Sequence, residues 1–131
     1  MKKLNSTCVE DKVLYEDGNV KVTYMRYSAP WPVSHRDFIS VAYQHLEGDS
    51  KAYIGSKSCN WPYPEEKKVV RGEIIIGGYI LEKIDEKSTK VTYMSNADIK
   101  GSIPGMIKNE LAKKQGEVAS RIEEVMKAEK K

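Results

Sequence analysis

The chain has 131 residues, enough for a single domain with one core and one modest cavity. Its 22 basic and 19 acidic residues leave a formal charge of +3, which disfavours the strongly basic surface of a nucleic-acid binder. No apolar run could span a membrane or serve as a secretory signal, and Cys8 and Cys59 lack metal-ligand spacing. We therefore expect a cytoplasmic protein with no metal, no cofactor and no nucleic-acid partner.

The first half of the chain predicts four strands separated by turns. They cover residues 9–15, 20–27, 37–45 and 51–59, and residues 16–19 and 47–50 have the composition of tight turns. Pro30 and Pro32 around Trp31 exclude regular strand pairing in that segment. Because sequential strands usually lie side by side, the pattern predicts an antiparallel meander.

The most apolar segment begins at Val69 and predicts a long strand. Apolar residues surround the Gly77-Gly78 pair, which indicates a strand that bends and is covered on both sides for part of its length. A turn at residues 85–88 leads to an alternating strand at 89–99. These two strands bring the predicted sheet to six.

One long helix is predicted over residues 102–128. Pro104 suits its first turn, and Ile107, Leu111, Val118, Ile122 and Val125 form a single apolar stripe, which we expect to face the concave side of the sheet. Gly116 interrupts the pattern at a cost of roughly 1 kcal/mol relative to alanine. This glycine indicates either a close approach of another group or a hinge.

Four polar residues occur on strands that otherwise appear buried: Ser56, Ser58, Tyr93 and Ser95. A buried hydroxyl without a hydrogen bond costs about 1–3 kcal/mol. These hydroxyls therefore either pair with backbone or water, or orient the head group of a ligand.

Trp61 and Tyr63 lie in a proline-containing loop at residues 60–68 and allow two interpretations. The rings can fold back against the core, where each would bury a large area. Alternatively, they can anchor the protein at a lipid–water boundary, which Lys67 and Lys68 would favour if the surface were anionic.

Nothing in the sequence predicts catalysis. His35-Arg36-Asp37 matches the catalytic triplet of kinases, but the metal-binding asparagine expected five positions after the aspartate is Ala42, and no glycine-rich phosphate loop is present. No serine, cysteine or carboxylate has recognisable triad spacing with either histidine. We therefore expect that the protein is not an enzyme.

Three motifs resemble the START (StAR-related lipid-transfer) domain. They are APWPVSHRDFISV at 29–41, VVRGEIIIGGYILEKID at 69–85, and KVTYMSNADIKGSIPGMIKNELAKKQ at 90–115. The resemblance covers residues 9–127 and implies an α+β helix-grip fold of the START and Bet v 1-like kind. In that fold a curved antiparallel sheet and a C-terminal helix enclose one lipid, here a sterol, a phospholipid or a sphingolipid.

The resemblance also implies roles for individual residues. Ser56 and Tyr93 match ligand-contacting positions, and the lid helix corresponds to Ile103, Met106, Ile107 and Leu111. Residues 60–68 match the mobile loop at the tunnel mouth, so Trp61, Tyr63, Ile103 and Met106 are expected to contact membranes transiently. Arg36, also expected at the ligand, faces an acidic residue in complete START domains.

That acidic residue belongs to an N-terminal part of the family, one helix, three strands and two further helices, that has no counterpart in this sequence. We expect residues 1–131 to form a single START-like domain without that part. Its expected function is lipid binding or transfer. One alternative is a protein-interaction or dimerisation module. Another is an enzyme on the related polyketide-cyclase fold, which would need carboxylates or histidines in the cavity.

A homodimer through the strand at 89–99 is a further expectation. In complete family members the matching strand pairs with an N-terminal strand, so its outer edge would be open here. Lys90, Asp98 and Lys100 place charges only at its ends, and uncharged open edges favour pairing with another chain. Alternatively, residues 1–7 cover the edge in a monomer.

Overall fold

The computed structural model describes residues 7–101 and 103–129, which form one sheet followed by two helices. The elements are β1 (Cys8–Asp17), β2 (Val20–Tyr27), β3 (His35–Glu47), β4 (Lys51–Ser58), β5 (Val69–Arg71), β6 (Glu73–Lys83), β7 (Thr89–Asp98), α1 (Gly105–Gly116) and α2 (Val118–Glu129). The strand order is β1-β2-β3-β4-β6-β7 with antiparallel neighbours, and β5 pairs in parallel with β3. The α+β class and the curved antiparallel sheet are confirmed.

The predicted long strand starting at Val69 is two strands, which corrects the sequence-based boundary. Gly72 separates them, and its amide donates a hydrogen bond to the carbonyl oxygen of Asp37 (2.8 Å). A Cβ at this position would lie 2.5 Å from the Phe38 ring, so a larger residue would require that buried ring to move. At Gly72 the chain stops pairing with β3 and begins to pair with β4. Ile75 and Ile76 are about half exposed. This part of β6 therefore lacks the cover on both sides that was expected for part of the strand.

The predicted single helix is also two helices. α1 ends at Gly116, Glu117 is a turn, and α2 begins at Val118. A Cβ at Gly116 would meet no described atom within 4 Å, so no close approach explains the glycine. Its low helix propensity instead coincides with the break. Val118 is fully buried, and α2 contacts β7.

The two faces of the sheet differ in what they pack against. Val22, Tyr24 and Ile39 form the hydrophobic core on one side, which we call the back face. Because side chains alternate along a strand, Phe38 points to the opposite side, which we call the groove face. Tyr27 and Phe38 meet there edge to face, with ring centroids 5.7 Å apart.

A buried ion pair fixes β5 to the back face. Asp37 is 1% exposed, and Arg71 donates to it from Nε (2.7 Å) and Nη2 (3.4 Å). Tyr24 donates its hydroxyl proton to Asp37 Oδ2 (2.9 Å), the oxygen that also accepts from Arg71 Nη2. Burial and this bond raise the pKa of Tyr24, and the hydrogen bond to Asp37 raises the pKa of Arg71. The ion pair and the hydroxyl bond together satisfy the Asp37 carboxylate.

Candidate functional site

A groove of about 470 Å³ lies between the groove face and α1. This volume is within the range of small-molecule sites. The groove is lined by the end of β2 and the following loop, the start of β3, the end of β7 and one side of α1: Thr7, Tyr27, Ser28, Ala29, Arg36, Phe38, Ser95, Asn96, Ala97, Asp98, Ile99, Lys108, Leu111 and Ala112.

The apolar part of the groove is made by aromatic and aliphatic side chains from three elements. Tyr27 and Phe38 come from β2 and β3, and Leu111 comes from α1. Burial raises the pKa of Tyr27 above its usual value. These side chains offer a surface suited to a hydrocarbon.

Arg36 supplies a charge to the same groove although it is only 6% exposed. Its Nε donates to the carbonyl oxygen of Ile99 (2.7 Å), its Nη2 to that of Lys100 (3.0 Å), and its Nη1 to that of Ser34. A Cβ at Gly101, which has a φ of +73°, would lie 2.9 Å from Nη2. The turn after β7 is therefore folded closely around the guanidinium.

Only some of the predicted ligand-binding residues lie together. Arg36, Ser95 and Leu111 line the groove, whereas Ser56, Ser58, Tyr93 and Ile107 do not. Ser58 Oγ accepts a hydrogen bond from the Ile74 amide (2.7 Å), beside an irregularity in the pairing of β6 with β7. Tyr93 packs against Tyr79, with centroids 5.0 Å apart. The Ser58 contact matches the structural alternative for that hydroxyl, and the Tyr93 contact places only its ring.

Trp61 and Tyr63 are not at the groove. Trp61 packs against Tyr15 (centroid separation 5.3 Å), and Tyr63 packs against Tyr24 (4.4 Å). Both rings cover the core cluster of the back face, while the groove lies on the other face. The expectation that they form one mouth with Ile103 and Met106 is therefore corrected in favour of the core interpretation.

A different tryptophan is exposed in the segment between β2 and β3, the first residues of which line the groove. Trp31 is 92% exposed, and Ala29, two residues earlier, lines the groove. Met106 is 83% exposed, and Lys108, two residues later, lines the opposite wall. In the sequence, the prolines around Trp31 indicated only a break in strand pairing. The position of Trp31 between two prolines directly before β3 was the available signal that the ring would be held away from the sheet.

Among the side chains described in residues 7–101 and 103–127, no three His, Cys, Asp or Glu are grouped so that they could hold a metal ion. The described helices include none that is long and apolar enough to cross a membrane.

Comparison with known proteins identifies the family. The START domain model matches residues 10–131. START domain-containing protein 10 of human and mouse is 33% identical over 92 residues, which is 70% of this chain and 31% of that protein. An uncharacterized protein of Pseudomonas aeruginosa is 30% identical over 102 residues, 78% of this chain and 50% of that protein. The chain thus spans half or less of these relatives.

Solved structures share the fold. Human StAR-related lipid transfer protein 5 superposes with a TM-score of 0.86 at 14% identity, covering 99% of this chain and 65% of that one. Human STARD10 superposes with a TM-score of 0.74 at 26% identity, covering 97% and 56%. The resemblance of the three sequence motifs is therefore confirmed, and the chain belongs to the START domain family.

Proposed function

We propose that this protein binds one lipid in the groove between the sheet and α1 and carries it between membranes. The observation behind the proposal is the combination of an apolar wall, formed by Tyr27, Phe38 and Leu111, with a volume of about 470 Å³. Membership of the START family supports it, as does the fold shared with a protein named for lipid transfer. The lipid class would be a sterol, a phospholipid or a sphingolipid.

Burial of hydrocarbon is the proposed source of affinity. Each methylene removed from water contributes up to about 0.8 kcal/mol, so the apolar wall can hold an acyl chain without a covalent step. The protein would thus act as a cytoplasmic carrier and not as an enzyme.

The proposed membrane contact is made by the exposed side chains that flank the groove. Trp31 and Met106 are exposed, and each lies two residues along the chain from a residue of the groove lining, Ala29 and Lys108. Ile103, just before α1, is partly buried. Tryptophan favours the membrane–water interface because its ring is apolar and its N–H is polar. Insertion of Trp31 and Met106 would bring the groove to the lipid surface during exchange.

The direct test is lipid loading of the delipidated protein, followed by native mass spectrometry. Ala112→Trp fills the groove from α1 and should abolish loading. Ser120→Trp places the same ring on an exposed position of α2 outside the groove lining and should load normally. If Ala112→Trp loads as well as the wild type while remaining folded, the lipid does not occupy this groove.

Homodimerisation is a second candidate, and the end position of β7 in the sheet favours it. Within the described residues β7 pairs only with β6, and residues 91–97 carry no charge. Residues 1–6, most of the segment predicted as an alternative cover, are outside the described part of the chain. A second copy is the proposed occupant of this edge.

Charge complementarity selects one register for that pairing. Lys90 and Asp98 are equally distant from Met94, four positions before it and four after it. An antiparallel pair of β7 strands centred on Met94 therefore places Lys90 of each copy opposite Asp98 of the other. Opposite charges facing each other across strands are stabilising, and like charges are destabilising.

Sedimentation at several concentrations tests this register. Lys90→Asp should weaken the dimer because it creates two carboxylate pairs, and the combined swap Lys90→Asp with Asp98→Lys should restore it. Lys87→Asp, in the turn before β7, is the matched control. A wild-type protein that stays monomeric at high micromolar concentration contradicts the dimer.

A further inference from the structure

The starting observation is a buried positive charge without a negative partner. The guanidinium of Arg36 is bonded to three backbone carbonyl oxygens. No carboxylate in residues 7–101 or 103–127 forms an ion pair with it. Removing a charge from water is costly unless the charge is paired, and burial accordingly lowers the pKa of Arg36.

Three carbonyl bonds do not use the full hydrogen-bonding capacity of Arg36. A guanidinium carries five N–H donors, and the three bonds occupy one each on Nε, Nη1 and Nη2. One N–H on Nη1 and one on Nη2 therefore have no acceptor among the described residues. Because Arg36 lines the groove, a ligand there is the available acceptor.

The remaining charges of the groove lining also favour an anion. Lys108 of α1 is the second basic residue of the lining, and Asp98 is its acidic residue. Asp98 is already engaged by Lys100, whose Nζ lies 3.2 Å from its Oδ2 and whose amide donates to its Oδ1 (2.9 Å). Those interactions lower the pKa of Asp98. Arg36 and Lys108 thus remain in excess.

We propose that the groove selects an amphiphile with an anionic head group, a carboxylate or a phosphate, held by Arg36 and Lys108. This inference rests on the proposed lipid-binding function and adds the charge of the ligand to it. Guanidinium and both kinds of oxyanion form strong charge-assisted hydrogen bonds, in pairs where the geometry permits. The hydrocarbon chain would lie along Tyr27, Phe38 and Leu111.

The competing explanation is that Arg36 only fastens the turn after β7. Its bonds to Ile99 and Lys100 do hold that turn. A purely structural arginine would not, however, make the groove distinguish between ligands of the same chain length and different head-group charge. Head-group selectivity of the wild-type protein is therefore the decisive measurement.

The experiment compares oleate with oleyl alcohol, which has the same chain and a neutral head, by titration calorimetry on delipidated protein. A hydrogen bond to a charged group contributes enough for oleate to bind about tenfold more tightly. Lys108→Gln should reduce this preference about threefold, while Lys113→Gln, an exposed lysine of α1 outside the groove lining, should leave it unchanged. Arg36→Gln should remove most of it while oleyl alcohol still binds.

Each outcome decides a different point. Equal affinity of the wild type for oleate and oleyl alcohol overturns the anionic selectivity and leaves the proposed function intact. Failure of both lipids to bind overturns the selectivity and the proposed function. Inorganic phosphate that displaces oleate at equal concentration would identify a site for a free anion instead of a lipid head group. If Arg36→Gln does not fold, the wild-type comparison and Lys108→Gln still decide.

Discussion

Arg36 and Asp37 are neighbours in β3, and each is buried on a different face of the sheet, Asp37 on the back face and Arg36 on the groove face. The two faces surround these charges differently. On the back face, the Asp37 carboxylate accepts hydrogen bonds from Arg71 and from the Tyr24 hydroxyl, so its charge is compensated within the protein. On the groove face, Arg36 donates hydrogen bonds to three backbone carbonyl oxygens and forms no ion pair with a described carboxylate. Alternation along one strand thus gives one face a closed polar network and the other a charge that can act on a ligand.

The two tryptophans repeat this contrast. Trp61 packs over the back face, whereas Trp31 is 92% exposed in the segment whose first residues line the groove. A large aromatic ring in a proline-containing loop can thus be part of the core or free for contact with another surface. The following predictions test the difference between the two faces.

The largest effect is expected at the compensated charge. Asp37→Ala removes the partner of Arg71 and of the Tyr24 hydroxyl, and breaking a buried pair in this way should cost about 3 kcal/mol of unfolding free energy. Urea denaturation measures this loss. Glu123→Ala, which removes the exposed pair with Lys127 on α2, is the control and should leave the midpoint unchanged. A midpoint for Asp37→Ala near that of the wild type would show that the network does not stabilise β5.

The next effect separates the two tryptophans. Trp61→Ala should lower stability by about 2 kcal/mol because the ring is partly buried against the core. Trp31→Ala should leave thermal unfolding unchanged and slow lipid transfer between vesicles. Fluorescence-based transfer assays and thermal melts on both variants measure these effects. The comparison fails if Trp61→Ala is as stable as the wild type, or if Trp31→Ala transfers lipid at the wild-type rate.

A smaller effect is expected on the groove wall. Leu111→Ala should cost only about 1 kcal/mol, below the range for packed core, because one side of this side chain faces the groove. Val118→Ala removes a fully buried side chain and should cost more although it removes fewer atoms. Urea melts rank the two variants. A loss of several kcal/mol for Leu111→Ala would place that residue in a packed core.

The smallest effect is a loss of stability at alkaline pH, to which tyrosines on both faces of the sheet contribute. Burial raises the pKa of Tyr79 on the groove face to about 12 and raises that of Tyr24 on the back face. The unfolded state releases these protons from about pH 10, so unfolding is favoured as pH rises from there through the folded pKa values. Melts between pH 8 and pH 11 should show a decline that begins near pH 10. Tyr79→Phe should make the decline shallower because Tyr24 and Tyr27 still contribute to it, and an identical slope would contradict the assignment.

Sequence periodicity predicted the six long strands and the apolar stripe of the helices because those patterns are local. Periodicity could not predict that the chain changes strand partners at Gly72. The space at that position is limited by the Phe38 ring, which is distant in the sequence. The same limit applied to Trp61, whose direction is set by Tyr15 and the core cluster.

The candidate site was predicted in part. Arg36, Ser95 and Leu111 line the groove as expected, but Tyr27, Asn96 and Lys108 were not identified. Tyr27 lies far before Asn96 and Lys108 in the sequence, and β3, β4 and β6 separate β2 from β7 in the sheet, so the curvature of the whole sheet is needed to bring them to one groove. The hydroxyl of Ser58 was predicted as either structural or ligand-binding, and the irregular pairing beside Ile74 uses it structurally.

The break at Glu117 divides the C-terminal segment into two helices of 12 residues each. Helices of this length are marginal in isolation, so each depends on what it packs against. α2 is anchored by the fully buried Val118 at its first position, whereas α1 has no fully buried side chain among those described. Local opening requires least free energy where few side chains are buried. We therefore expect the wall that carries Lys108 and Leu111 to open before the sheet and α2 unfold, so that access to the groove would be a local equilibrium separate from global unfolding.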